Sequence, residues 1–371
     1  MLTTSERALA RAVLIHGPIS RSALTTRLGL SPASLTRLAK PFLDRGLLIE
    51  LDDSADGTVG RPVRPLDVAP QIGRFAGVKI TGETVHAIVT GVRAEVLAED
   101  SQPLIDTDPE QVARQVARMV RALAPTGLSG TGVGLGGAVR DGVVEYAPFL
   151  GWRDVPFGAL LEREVGGPVS LENDLIALAE AERWFGLGRG KDGFVVITIG
   201  AGVGYALVIG GEVVRTPDAG IGMGGHIPLS PAGPLCVEGH RGCSQAMLTA
   251  GSMAAQVSGA LQRPVAYDEV LSLAREGAPA AVAVVDSAAA ALGRLIVLAA
   301  NLTLQSSIVL AGEGLGLFAI AEDRIREVIS AERDPRAEAV RLYVDESGFL
   351  AWARGAAAVA IQAAMDRIRL T

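Results

Sequence analysis

Apolar positions in the first fifty residues recur at helical spacing. Leu9, Val13 and Leu14 line a first helix that follows a Thr/Ser-rich start and ends near HGPIS. Ser20 is placed to cap a second helix, RSALTTRLG, with Leu24 and Leu28 turned inward, and Gly29 and Leu30 supply a turn. Ser31 caps a third helix with Pro32 at its first position, a favoured arrangement because the missing proline N–H has no partner there. In SPASLTRLAKPFLDRG the spacing assigns Leu35, Leu38 and Leu43 to the apolar face and leaves Ser34, Thr36, Arg37 and Lys40 polar. LLIEL and RPVRPLDV then read as strands flanking DDSADGTVG, a hairpin with Arg61 on its far side.

From about Arg74 the period changes. GRFAGVKITGETVHAIVTG alternates as a strand pair, a helix follows over Pro109–Leu123, and GTGVGLGGAV is a Gly-rich strand and turn. GGPVSLEND is a short strand ending in a polar pair and leading into the helix LIALAEAERWF. DGFVVITIGAGVGYALVIGGEVV is a further hairpin, residues 279–300 form a long Ala-rich helix running into SSIVLAG, and residues 351–370 form a last helix. Strands alternate with helices twice over, which predicts α/β layers in two similar halves.

Charge changes the picture of the head. Residues 1–48 carry seven basic side chains against two acidic ones, a net of +5, while the whole chain of 371 residues is at −7. The remainder is therefore at −12, and a basic module on an acidic body points to an anionic partner such as nucleic acid. Two short helices, a tight turn, a third helix with a polar N-terminal end and a hairpin match a winged helix-turn-helix over residues 1–70. Ser31, Ser34, Thr36, Arg37 and Lys40 are the expected contacts from the third helix to double-stranded DNA, and Arg61 the contact from the wing to a narrow minor groove. A three-helix interaction module with a solvated basic face is the alternative. The sequence shows no signal-peptide pattern, and its most apolar stretch, Ala288 to Leu310, is interrupted by Arg294, Asn301 and Gln305. These features predict a cytoplasmic protein with no membrane contact.

Both cysteines lie in GHIPLSPAGPLCVEGHRGC, residues 225–243, with two of the four histidines. Thiolate and imidazole at short spacing suit Zn²⁺, whereas buried thiols and scattered histidines are the alternative.

With these motifs in place, the chain resembles the ROK family, which contains bacterial sugar-responsive repressors and related sugar kinases. The resemblance covers nearly the whole chain, including the N-terminal winged helix of the repressors. It implies an α/β fold in which the winged helix-turn-helix precedes a two-lobed actin/hexokinase-like (ribonuclease H-like) sugar-kinase fold over residues 71–371. The lobes are expected at 71–175 with the C-terminal helix, and at 176–350. The family's zinc motif, Cys-x-Cys-Gly-x-x-Gly-Cys with a histidine ten residues upstream, aligns with Cys236, Glu238, Gly239, Gly242, Cys243 and His226. Glu238 replaces the middle cysteine, so the implied ligands of a structural zinc are His226, Cys236, Cys243 and Glu238, or failing that His240.

Of the family's hexose contacts, Asn173, Asp174 and His226 are kept, while Met223 and Gln245 stand where glutamates are usual. Asn173, Asp174, His226 and Gln245 are thus the implied effector residues. The kinase phosphate loops have changed: Lys79-Ile80-Thr81-Gly82-Glu83 replaces an Asp-x-Gly-Gly-Thr pattern, and Gly200-Ala201-Gly202 replaces Gly-Thr-Gly. Phosphoryl transfer depends on positioned phosphates and metal, so no kinase activity is expected, although Asp174 matches the kinases' base. The expectation is a regulator, in the sense of a repressor, that acts as a homodimer or homotetramer on operator DNA under control of a sugar or sugar-derived effector. A ROK-type carbohydrate kinase, and a regulator whose cleft no longer binds sugar, are the alternatives.

Overall fold

The computed structural model describes residues 2–51, 64–218 and 220–370. It divides into two compact units, one of residues 1–135, 139–172 and 353–371, the other of residues 136–138 and 173–352.

The first unit opens with α1 (Thr4–His16), α2 (Arg21–Leu28) and α3 (Pro32–Asp44), followed by β1 (Leu48–Glu50) and β2 (Leu66–Val68). Thr3 and Glu6 form a capping box at α1, and Ser20 and Ser31 accept from Ala23 N and Ser34 N at the next two N-termini. Gly29 ends α2 at φ +63°, the left-handed conformation that glycine adopts without strain. The buried face of α3 is Leu35, Ala39 and Phe42, whereas Leu38 and Leu43 are half-buried. This corrects the face read from the leucines alone: Leu35, Ala39 and Phe42 follow the i, i+4, i+7 stripe, and the smaller alanine lets the helices approach. β1 and β2 pair antiparallel, Leu48 against Val68.

β3 (Phe75–Ile80), β4 (Thr84–Thr90) and β5 (Val96–Pro103) form a meander, followed by α4 (Pro109–Leu123) and β6 (Gly130–Leu135). β7 (Ala138–Arg140), β8 (Val143–Ala147) and β9 (Trp152–Val155) make a small sheet, and α5 (Phe157–Val165) and β10 (Val169–Asn173) follow. The main sheet runs β10-β6-β3-β4-β5, with β3 and β6 parallel. β3 and β6 are buried along their whole length, Lys79 and Thr131 included, because both faces are covered.

The second unit contains α6 (Asp174–Trp184), β11 (Phe194–Ile199), β12 (Val203–Ile209), β13 (Glu212–Val213), α7 (Ser244–Leu248), α8 (Ala250–Leu261), α9 (Tyr267–Arg275) and α10 (Pro279–Thr303). β14 (Ser307–Ala311), α11 (Gly316–Glu332) and β15 (Arg341–Val344) complete it, in a sheet ordered β13-β12-β11-β14-β15. α10 is long and apolar enough to cross a membrane, but it supplies Val285, Leu292, Leu295 and Ile296 to the core of this unit, against α11 and β11. α12 (Phe349–Arg367) closes the chain. Within the first unit it lies so close to β3 and β6 that a Cβ on Gly77 or Gly132 would overlap the carbonyls of Ala353 and Ala356.

Candidate functional site

Two sets of residues stand apart from the packing. The first is the exposed face of α3. Ser31 Oγ receives Ser34 N at 3.2 Å and donates to Ser34 Oγ at 3.0 Å, so both hydroxyls serve the helix start. Thr36 Oγ1 turns back to the Pro32 carbonyl at 2.9 Å, and Lys40 pairs with Asp44 at 3.0 Å, an exposed i,i+4 bridge of small net worth. Arg37 is exposed and, among the described residues, makes no hydrogen bond or ion pair. It is the basic group on this helix available to a phosphate or a base edge. Arg61 lies outside the described residues.

The second set is in the 173–352 unit. Asn173 is buried at the end of β10, where its Oδ1 caps α6 by accepting Leu175 N and Ile176 N at 3.0 Å each. Its Nδ2 donates to the Gly137 carbonyl at 2.9 Å. Asp174 begins α6 and is buried, with Oδ1 accepting Leu175 N at 2.8 Å. The chain from Gly220 to His226 runs past these groups. A Cβ on Gly220 would sit 2.8 Å from Asn173 Nδ2, so only glycine admits this approach, at φ +87°.

Met223–His226 is a 3₁₀ turn fastened to α7: Ser244 Oγ donates to the Gly224 carbonyl at 2.5 Å and Ser244 N to the Ile227 carbonyl at 2.9 Å. Gln245 Oε1 lies 3.4 Å from where a Cβ on Gly225 would be. Asn173 therefore meets one end of this short segment, and Gln245 and His226 stand at the other. Met223 is exposed at its start.

His226 also belongs to a cluster of four. The Sγ atoms of Cys236 and Cys243 lie 3.8 and 3.9 Å from His226 Nδ1, His240 Nδ1 is 3.1 Å from it, and all four donor atoms fall within 4.8 Å of one another. Two thiols and two imidazoles at these separations can surround one ion tetrahedrally, which is the donor set zinc prefers. Glu238 is not in the group, contrary to the first choice of fourth ligand. The turn explains it. Cys236 N donates to the His240 carbonyl and Gly239 N to the Cys236 carbonyl, with Gly239 at φ +80°, so the chain reverses over four residues. His240 is brought back over Cys236, while Glu238 sits exposed in the bend.

The two thiols differ. Burial pushes the Cys243 thiol up. At Cys236 burial also pushes up, but the backbone at Glu238 and His240 and a hydrogen bond with Cys243 outweigh it and bring the thiol below its ordinary value. Alignment with the family motif favours Glu238 over His240, and the signal in the sequence for the reversal is Gly239 between them.

A model of the ROK family matches residues 75–363. The chain belongs to the ROK family. The DNA-binding transcriptional repressor Mlc of Escherichia coli (strain K12) is 25% identical over 352 residues, 87% of this chain and 85% of Mlc. A solved ROK-family transcriptional regulator, described as a homologue of the E. coli Mlc protein, superposes with a TM-score of 0.80 at 25% identity, over 97% of this chain and 96% of that one. The ROK hexokinase of Thermus thermophilus gives 0.64 at 28% identity, over 77% of this chain and 97% of its own. The ROK regulator thus matches more of this chain, 97%, than the ROK hexokinase does, 77%.

Proposed function

We propose that this ROK protein is a transcriptional regulator, acting as a repressor, that binds double-stranded operator DNA through residues 1–70. A sugar or sugar-derived effector held in the body shifts its affinity for DNA, a coupling between distinct sites. The observation that carries the reading is a helix-turn-helix whose third helix exposes Arg37, which makes no hydrogen bond or ion pair among the described residues, in a chain matched along 97% of its length by a ROK regulator. Asn173, Asp174, His226 and Gln245 are the residues we assign to the effector, since amides and carboxylates can fix vicinal hydroxyls. Zinc held by His226, Cys236, His240 and Cys243 would orient His226, with ligation at one ring nitrogen leaving the other for a hydroxyl. Paired recognition helices on two half-sites require a homodimer or homotetramer, and the work is done in the cytoplasm.

The body is read as a binding domain rather than a phosphotransferase. In support of this, at the β3–β4 turn the amides of Glu83 and Thr84 donate to Thr81 Oγ1 at 3.2 and 2.8 Å and are engaged within the turn. The reading is tested by fluorescence anisotropy on genomic DNA fragments. Arg37→Ala is expected to weaken binding at least tenfold and, if the side chain meets phosphate, to reduce the salt slope by about one. Equal affinity and slope for wild type and variant would remove α3 as the reading helix.

A further inference from the structure

The basic head and the main sheet of the first unit are joined by a short connection, residues 69–74, within one compact body. Pro70–Ile72 is a 3₁₀ turn, and Gly73 follows at φ +150°, a conformation open to glycine and to almost no other residue. Such a link leaves the angle of a small domain to the contacts beside it, because relative motion is the default where those contacts are weak.

The β4–β5 turn makes one such contact. Arg93 Nε donates to the Leu14 carbonyl at 2.8 Å and Nη2 to the Val13 carbonyl at 3.1 Å, at the C-terminal end of α1. The same Nη2 bonds Asp67 Oδ1, on β2 of the head. Asp67 is itself held, since its Oδ1 accepts Val68 N at 2.8 Å. One guanidinium thus meets the negative end of a helix and a carboxylate from a second element of the head, a task its planar fork suits better than an ammonium. The pair is 28% and 15% exposed, against 47% and 54% for the outer pair Arg7–Asp366 at 3.3 Å, so it is the less screened of the two. Arg45 Nη1 adds a peripheral bond to the Arg369 carbonyl at 2.8 Å.

Both sides are shaped for this approach. A Cβ on Gly17 would lie 2.6 Å from Arg93 Nη2 and from Asp67 Oδ1, so a side chain there would displace the bridge. On the sheet side, Glu95 Oε2 accepts Arg93 N at 3.0 Å, and Ala94 is buried at φ +57°, an uncommon backbone for a residue with a side chain. The turn is closed by Gly91 N on the Glu95 carbonyl at 3.1 Å and Ala94 N on the Gly91 carbonyl at 3.3 Å.

We propose that Arg93 is a positioning residue: with Asp67 it fixes the angle at which the head stands on the sheet, and so sets the half-site spacing that a dimer accepts. The clasp stands on the geometry of this unit alone, while its effect on spacing rests on reading residues 1–70 as a DNA-binding module. Two heads held at fixed angles reach two half-sites in one register, whereas heads turning about Gly73 can follow the DNA. Adding two base pairs between half-sites rotates one against the other by about 70°, which a rigid pair cannot follow.

Two measurements on the full-length protein test it. The first is backbone ¹⁵N relaxation of head and sheet amides, which in wild type are expected to share one tumbling time. In Arg93→Ala the head amides are expected to show transverse rates lower by about twofold or more, with the chemical shifts of the α1–α3 core kept. Asp67→Asn is expected to change in the same direction and serves if Arg93→Ala does not fold, and Arg93→Lys to fall between. The second is anisotropy on a duplex selected by wild type and on the same duplex with two base pairs added between the half-sites. Wild type is expected to lose about tenfold or more in affinity on the longer spacer, and Arg93→Ala less than about threefold. Head amides that relax in both folded variants as they do in wild type, or a spacer penalty as large in Arg93→Ala as in wild type, would overturn the proposal. Wild type that binds no duplex would remove the DNA reading and the spacing with it, while the relaxation comparison decides the clasp.

Discussion

The group at His226 turns on one residue of difference between two candidate ligands. His240 Nδ1 is 3.1 Å from His226 Nδ1, and Glu238 is exposed in the bend that brings His240 there. Zinc analysis by mass spectrometry is therefore expected to find about one ion per chain in wild type and in Glu238→Ala, and much less in His240→Ala and Cys243→Ser. Loss of metal from Glu238→Ala with retention in His240→Ala would restore the carboxylate as ligand. Tyr267 offers a second test. Burial pushes its hydroxyl up to about 12, above the value near 10 of an unfolded chain. Between those values the folded protein holds a proton that the unfolded chain has lost, so stability falls as pH rises from about 10 toward 12 and is complete below 10. Tyr267→Phe should flatten the fall in denaturant midpoint over that window; an unchanged slope would show that another group carries it.

At the scale of elements, the packing of α12 on β3 and β6 depends on missing side chains. A Cβ on Gly132 would overlap the Ala356 carbonyl, and neither a strand nor a helix backbone gives way cheaply. Gly132→Ala is expected to cost ~1–3 kcal/mol or more, read as a lowered midpoint of urea unfolding. An unchanged midpoint would mean that the helix shifts freely. This contact was not legible in the sequence, where GTGVGLGG reads as turn-rich. The glycines of β6 are there for a helix more than two hundred residues away. By contrast, the order of elements was legible because each is announced locally: Ser20 and Ser31 before their helices, the glycine turn between β3 and β4, and the apolar run of β14 after the Ala-rich α10. The α3 face was read one step wrong, since leucines outweigh Ala39 in any count of apolar positions although Ala39 is the buried one. The grouping of His226, Cys236 and Cys243 was legible in the sequence, but the place of His240 beside them was not. Periodicity says nothing about a four-residue reversal.

For the whole molecule, the account joins a basic head of +5 to a body of −12 and makes DNA affinity the output. The charge contrast directs DNA to the head and repels it from the body, and screening should weaken binding steeply with salt. Selection of bound sequences from a random double-stranded DNA pool, followed by anisotropy on the winner across a panel of monosaccharides, disaccharides and their phosphates, tests the central claim most directly. Expected are enrichment of a sequence with two related half-sites, binding at least tenfold weaker in Arg37→Ala, and at least a fivefold change in affinity with one sugar, abolished in Asp174→Ala. Enrichment of no sequence, or an affinity that residues 71–371 alone reproduce, would contradict it.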